Sequence, residues 1–148
     1  MDLFNISEIK ITYDPMISPK LQPKITSSEN AADVFRDNWN DNTRHIESFY
    51  ILLLNRANHC IGIKMISTGG LAGTVADPKV IMQTALKANA SSMILAHNHP
   101  SDNLKPSQND IDLTKKLKSA GEFLDIMILD HLILGWESYY SFADEGLL

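Results

Sequence analysis

The stretch Ala96-His97-Asn98-His99-Pro100-Ser101-Asp102-Asn103-Leu104-Lys105-Pro106-Ser107-Gln108-Asn109-Asp110 gathers two histidines, a serine and an aspartate at what reads as one strand-to-helix junction. It continues the apolar run Met93-Ile94-Leu95. His97 and His99 are therefore expected in extended backbone, where residues two apart point to the same face, roughly 6–7 Å apart. Both imidazoles can then reach one ion. In a helix the same pair would lie about 200° apart around the axis, and Pro100 keeps His99 out of the helical region. Asp110 falls in the first turn of the next predicted helix. Two nitrogen ligands and one oxygen ligand with a fourth position open make the ligand count of a catalytic rather than a structural zinc site.

The same residues also read as a helix start. Ser107-Gln108-Asn109-Asp110 is an S-x-x-D capping box, with Ser107 at the N-cap and Asp110 reaching back to its amide. The two readings are compatible, because a carboxylate in a first turn can face a metal while the serine still caps. A lone histidine on an apolar strand is more often packed core. Two at i, i+2 ahead of a Pro-Ser turn favour ligation, so His97, His99 and Asp110 form a candidate metal centre with Zn2+ as the expected cofactor.

Composition bounds the rest. At 148 residues with 44% hydrophobic and 21% charged positions, the chain is long enough for one domain with its own core and short for two. No apolar run of about 18 residues or signal-like N-terminus is visible, so neither a membrane span nor export is expected and the cytoplasm is the default location. Cys60 is the only cysteine, which excludes an internal disulfide and a Cys-rich zinc finger. It reads as a small buried hydrophobe. The net charge of −5 argues against a DNA grip through many phosphates. The densest basic group, Lys115, Lys116 and Lys118, reads as the solvated side of a helix.

Taken in order, Ile6 to Tyr13 alternates as a half-buried strand should, and Pro15, Pro19 and Pro23 then make an irregular surface arm. Thr26-Ser27-Ser28-Glu29 predicts a helix start, with Ala31, Val34, Phe35 and Trp39 on its inner face and an end near Asn40-Asp41-Asn42. Glu47–Asn55 reads as a strand buried on both faces. A tight turn leads to an antiparallel partner over Cys60–Ser67, the pair being expected at the centre of the sheet. Gly69, Gly70 and Gly73 read as a loop without phosphate-binding spacing. Asp77-Pro78 starts a helix with Ile81, Ala85 and Ala88 inward, followed by a strand over Ser92–Ala96. The helix from Ser107 turns Leu113, Leu117 and Ala120 inward and is expected to stop at Gly121. Phe123–Leu129 and Leu132–Gly135 read as extended, interrupted at Asp130-His131.

The spacing H-x-H-x7-S-x2-D, met by His97, His99, Ser107 and Asp110, resembles the JAB/MPN (JAMM) metalloprotease domain, and more closely its bacterial RadC-type branch. The supporting text is A-L-K-A-N-A-S-S-M-I-L-A-H-N-H-P-S, P-S-Q-N-D, L-D-H-L-I-L-G and Y-Y-S-F-A-D-E-G, from about Glu47 to Leu148. One departure stands out, since RadC-like chains usually have glycine after H-N-H-P-S and this chain has Asp102. The resemblance implies an α/β three-layer sandwich, a mixed β-sheet flanked by helices, of the JAB/MPN, cytidine deaminase-like kind. It divides the chain into an N-terminal strand and Pro-rich arm over 1–24 and a RadC-type JAB/MPN domain over 25–148. An N-terminal helix-hairpin-helix region, frequent in RadC-like chains, is not expected here.

It further implies a zinc-dependent hydrolase of peptide or isopeptide bonds. Glu47, which from its own surroundings reads only as a charge at a strand edge, matches the family's glutamate general base. Ser107 would donate a hydrogen bond to the oxyanion of the tetrahedral intermediate, and Ser101 would orient the loop. His131, beside Asp130, reads either as a second-layer group supporting a ligand or the substrate, or as a structural histidine. His45 and His59 read as surface residues. The expected partner is a protein or peptide substrate, with no membrane. A second reading, from the family's name, is a DNA-repair or mobile-element accessory domain whose metal site serves recognition or is idle. A zinc deaminase is set aside, because it needs H-x-E with P-C-x-x-C and the chain has one cysteine.

Overall fold

A computed structural model describes residues 7–40, 44–69 and 75–148. Among them, three helices and five strands run in the order α1 (Ser28–Asn38), β1 (Ser48–Leu54), β2 (Cys60–Thr68), α2 (Pro78–Lys87), β3 (Ser92–Asn98), α3 (Gln108–Phe123), β4 (Met127–Leu134) and β5 (Tyr139–Ser141), with a 3-10 turn over Pro19–Leu21. The sheet order is β2-β1-β3-β4-β5. Only β3 and β4 are parallel; β1 is antiparallel to both β2 and β3, and β5 to β4. The sheet is mixed and flanked by helices, so the three-layer α/β expectation holds.

Both faces of the sheet are apolar because β1 and β3 are buried along their whole length. Alternation divides them. Tyr50, Leu52, Leu54 and Ile94 meet Ala31 and Phe35 of α1 and Trp39 just after it, whereas Phe49, Ile51, Leu53, Met93 and Leu95 meet Ile81 and Ala85 of α2 and Leu117 of α3. Side-chain period 2 in the strands thus feeds two cores from the same residues.

Several expectations change. The hairpin β1–β2 is antiparallel as expected, but it is not the middle of the sheet: β2 is an edge strand with Lys64 and Met65 exposed, and β3 is central. Residues 7–13 form no strand; they are exposed, and Tyr13 Oη donates to the Ile61 carbonyl at 2.8 Å. Ile6, Asp41, Asn42, Gly70 and Gly73 lie outside the described residues. The cap of α1 is Ser27, which accepts from the Asn30 amide, one residue later than Thr26. α3 runs through Gly121 to Phe123. Gly121 is needed for a different reason, since a Cβ there would collide with the Ile126 carbonyl oxygen. The left-handed residue after the helix is Asp125, φ 54°. Asp130 and His131 do not break β4, because both polar side chains have partners inside the fold.

Candidate metal centre

The site forms where β3 ends and α3 begins, at the carboxyl edge of a parallel strand pair, the place where open α/β sheets hold ligands. His97 is 3% exposed and lies flat against Phe49, ring centroids 6.1 Å apart with a 4° interplanar angle. His99 follows in the turn after β3, its amide bonded to the Leu134 carbonyl at 3.0 Å. Its Nε2 lies 3.0 Å from His97 Nε2, and Asp110 Oδ1 lies 3.4 Å from His97 Nε2. One ligand atom from each of the three residues falls within 4.8 Å of the other two. The structure therefore brings His97, His99 and Asp110 together.

Proton positions follow from the partners. His99 Nδ1 faces the Asn103 carbonyl, which can only accept, so Nδ1 carries the hydrogen and Nε2 a lone pair. Thr114 Oγ1 donates to the Asp110 carbonyl at 2.6 Å. It must then accept from His131 Nδ1, 2.7 Å away. A neutral His131 has Nε2 left as acceptor and takes the hydrogen of His97 Nδ1 at 2.9 Å. His97 Nε2 is thereby also a bare lone pair. Burial keeps His97 and His131 neutral. It pushes His97 down from 6.5 to about 4, with Asp110 opposing and His99 adding to the effect. Burial, aided by His97 and His99, drives the fully buried His131 well below its ordinary range.

Two lone pairs 3.0 Å apart beside a carboxylate oxygen repel one another unless a cation lies between them. The donor set of two imidazole nitrogens and one carboxylate oxygen suits a divalent ion with an open coordination position. Metal binding by this trio is thus a fit of chemistry as well as of distance.

Asp110 divides its carboxylate. Oδ2 accepts from both the amide and the hydroxyl of Ser107, each at 2.7 Å, and the Asp110 amide donates back to Ser107 Oγ at 3.1 Å, which completes the capping box. Oδ1 is left facing His97 Nε2. The cap and the ligand readings coexist in one side chain. Ser107 is exposed, and its hydroxyl hydrogen points at Asp110.

Glu47 lies one residue ahead of β1, half-buried, with its carbonyl accepting from the Gly69 amide at 2.8 Å. The β1–β3 register ends with the pair Phe49 and His97, so Glu47 lies two residues beyond the last pair of the ladder. Asn98, between the two histidines, points the other way and fastens this segment. Its Oδ1 accepts from the Ser48 amide at 2.7 Å, and its Nδ2 donates to the Ile46 carbonyl at 3.0 Å and the Arg44 carbonyl at 3.4 Å.

Around the trio, Ser101 accepts from the Asn103 amide at 3.4 Å and so shapes the segment whose carbonyl holds His99. His131 contacts the ligand His97 directly. Asp130 does not orient the His131 ring. Its Oδ1 accepts from the backbone amides of His131 (2.7 Å) and Ala143 (3.0 Å), and its Oδ2 accepts from Ser141 Oγ (2.6 Å). Burial raises its pKa, with these hydrogen bonds opposing the shift. The group that holds His131 is Thr114, which sequence reasoning missed; its signal was the spacing of four residues from Asp110 on one helical face. Asp102 sits at φ 61°, a left-handed conformation natural to glycine, and its Oδ1 accepts from the Trp136 amide at 2.9 Å. His45 is exposed as expected. His59 is half-buried, with Nδ1 3.1 Å from the Gln22 carbonyl. Cys60 is only partly buried, and that burial raises its thiol pKa. Among the described residues no helix is long and apolar enough to cross a membrane.

A family model described as the RadC-like JAB domain matches residues 25–147. Among curated relatives, a UPF0758 protein of Flavobacterium johnsoniae is 45% identical over 124 residues, covering 84% of this chain and 53% of the relative. A UPF0758 protein of Syntrophomonas wolfei is 40% identical over 131 residues, covering 87% and 56%. One of Porphyromonas gingivalis is 46% identical over 103 residues, covering 69% and 45%. The chain spans about half the length of these relatives.

Proposed function

The chain belongs to the RadC-like JAB domain family, and from that premise we propose that it is a metal-dependent hydrolase of peptide or isopeptide bonds, with Zn2+ as the ion. The observation that carries the proposal is the convergence of His97 Nε2, His99 Nε2 and Asp110 Oδ1, with both histidines held in the ligating tautomer by their other nitrogens. A bound Zn2+ supplies the Lewis acidity that makes water nucleophilic at neutral pH.

The chain's residues divide the remaining work. Glu47, two residues before the Phe49–His97 pair, takes the proton from water and returns it to the leaving amine. Ser107 turns its exposed hydroxyl from Asp110 to the substrate carbonyl as negative charge develops on that oxygen. His131 and Thr114 hold His97 in place and exchange no proton with substrate. The net charge of −5 weakens the competing DNA-associated reading.

The test is metal analysis of the purified chain, followed by cleavage of a peptide library with and without chelator. Glu47→Gln should keep its Zn2+ and lose turnover by about 10²–10⁴-fold. Full activity in that variant removes Glu47 from the mechanism. A salt-dependent shift of DNA with no peptide cleavage favours the accessory-domain reading instead.

A further inference from the structure

β2 pairs with β1, and among the described residues no other strand lies on its outer side. Lys64 and Met65, in its middle, are exposed. A free edge of this kind is a template for another extended segment unless something covers it. Its start already takes one. Pro23 to Ile25 run antiparallel beside Asn58 to Cys60, the Cys60 amide donating to the Pro23 carbonyl and the Ile25 amide to the Asn58 carbonyl, each at 2.8 Å. Upstream of Pro23 the chain leaves the edge through the 3-10 turn at Pro19–Leu21.

Residues 7–13 are the matching half. Ser7-Glu8-Ile9-Lys10-Ile11-Thr12-Tyr13 alternates as a strand does and carries β-branched residues at Ile9, Ile11 and Thr12, yet it forms no strand in its own chain. Lys10 Nζ lies 3.8 Å from Glu8 Oε2, as side chains two apart on one face of an extended segment can. Ile9 and Ile11 are left 83% and 78% exposed. Tyr13 accounts for the separation. Its hydroxyl, not its backbone, meets the Ile61 carbonyl at 2.8 Å, which keeps the arm a side chain's length from β2, farther than the about 4.8 Å between paired strands.

We propose that residues 7–13 pair antiparallel with the outer edge of β2 in a second copy of the chain, each copy donating its arm to the other. One register joins the charges as well as the apolar side chains. Setting Glu8 across from Lys64 places Ile9 across from Ile63 and Lys10 across from Gly62, where a Cβ would meet nothing within 4 Å. Opposite charges and β-branched pairs across a ladder are stabilising, and like charges are not. A slip of two residues would set Lys10 against Lys64. Ile63 packs against the core on the α1 side of the sheet, so Ile9 extends that core. Reciprocal exchange closes on a two-fold axis and leaves neither an edge nor an arm free. The proposal is independent of the metal centre and of the hydrolase reading.

Sedimentation equilibrium of the full chain over a wide range of concentration should show monomers and dimers in equilibrium. Ile9→Gly together with Ile11→Gly removes the apolar side chains and the strand preference of an exposed segment, and should weaken the dimer at least about tenfold. Lys64→Glu should weaken it by about tenfold, because each dimer holds two such pairs, and adding Glu8→Lys should restore it. Lys116→Glu, the same charge change on the outer face of α3, should leave it unaltered. In a Cys60→Ser background, a Glu8→Cys chain mixed with a Lys64→Cys chain should form a disulfide between the two chains on mild oxidation. A monomer at every concentration overturns the proposal. So does a dimer indifferent to the arm variant, or one weakened by Lys64→Glu that Glu8→Lys fails to restore. A chain carrying both new cysteines that closes its disulfide within itself, as a monomer, places the arm on its own edge and overturns the exchange.

Discussion

His97 Nδ1 and His131 Nε2 lie 2.9 Å apart, across the parallel pair β3 and β4, so the second strand fixes which nitrogen of His97 faces His99 and Asp110. Hydrogen bonds of this type set the tautomer of a ligating histidine and raise its basicity, and their loss typically costs 10–100-fold in metal affinity. His131→Ala should therefore weaken Zn2+ binding by about that factor, as read by competition with a chromophoric chelator. Thr114→Val, which removes only the hydroxyl that receives His131 Nδ1–H, should move the affinity in the same direction by less. Unchanged affinity in both variants would mean that His131 is packing alone.

Asn98 joins the ligand strand to the segment that carries Glu47. Replacing it with alanine removes the acceptor for the Ser48 amide and the donor to Ile46, at a cost of about 2–4 kcal/mol for the unsatisfied buried groups. Asn98→Ala should keep stoichiometric metal yet show faster amide hydrogen exchange across 44–48 and lower turnover. Retained protection there would show that other contacts hold Glu47.

The buried imidazoles make stability of the metal-free protein depend on pH. His97 resists protonation down to about 4 when folded, against 6.5 for an ordinary imidazole, and His131 is shifted the same way. Between those values the unfolded chain binds more protons than the folded one, so stability rises with pH there. The histidine contribution is fully present above about pH 6.5 and declines as the pH falls towards 4. Asp130, raised by burial, works in the opposite sense, since its contribution is lost as pH rises through its raised value. Denaturant midpoints measured in chelator across this range should fall with acidification, more steeply in Asp130→Asn. Flat midpoints would place the histidines in water.

Asp102 and Gly135 form a coupled pair. A Cβ on Gly135 would collide with Asp102 Oδ1, the atom that receives the Trp136 amide. Asp102→Gly relieves a left-handed φ but forfeits that bond, effects of about 1 kcal/mol each and opposite in sign. Its net effect should be small. Gly135→Ala should destabilise the native background and be partly rescued in Asp102→Gly, with a coupling of about 1 kcal/mol or more in a double-mutant cycle. Simple additivity would dissociate the two turns.

Much of this was legible in the chain itself. Two histidines at i, i+2, a proline behind them and a capping serine three residues before an acid are local patterns, and local patterns survive folding. The helix starts at Asp77 and Ser107 and the all-buried β1 were readable for the same reason. What failed to show was non-local. Asp130-His131 looked like an interruption, because nothing nearby announces Ser141, Ala143 and Thr114 as the partners that let polar residues lie in a strand. The edge position of β2 depends on β3 inserting beside β1, a pairing no short window contains. Gly121 resembled a stop because the carbonyl that crowds it, from Ile126, arrives only after the chain has turned back.

The shared carboxylate of Asp110 has a bearing on how degenerate copies of such a domain should look. One oxygen is held at the start of the helix and the other faces His97, so a copy that lost the two histidines would still gain from keeping serine and aspartate there, to start α3 properly. The imidazoles carry no such second duty towards the helix. Loss of the trio should therefore first become visible at His99, whose ring is the more exposed of the two and is held only by the Asn103 carbonyl of its own turn, while the acid persists for the sake of the helix.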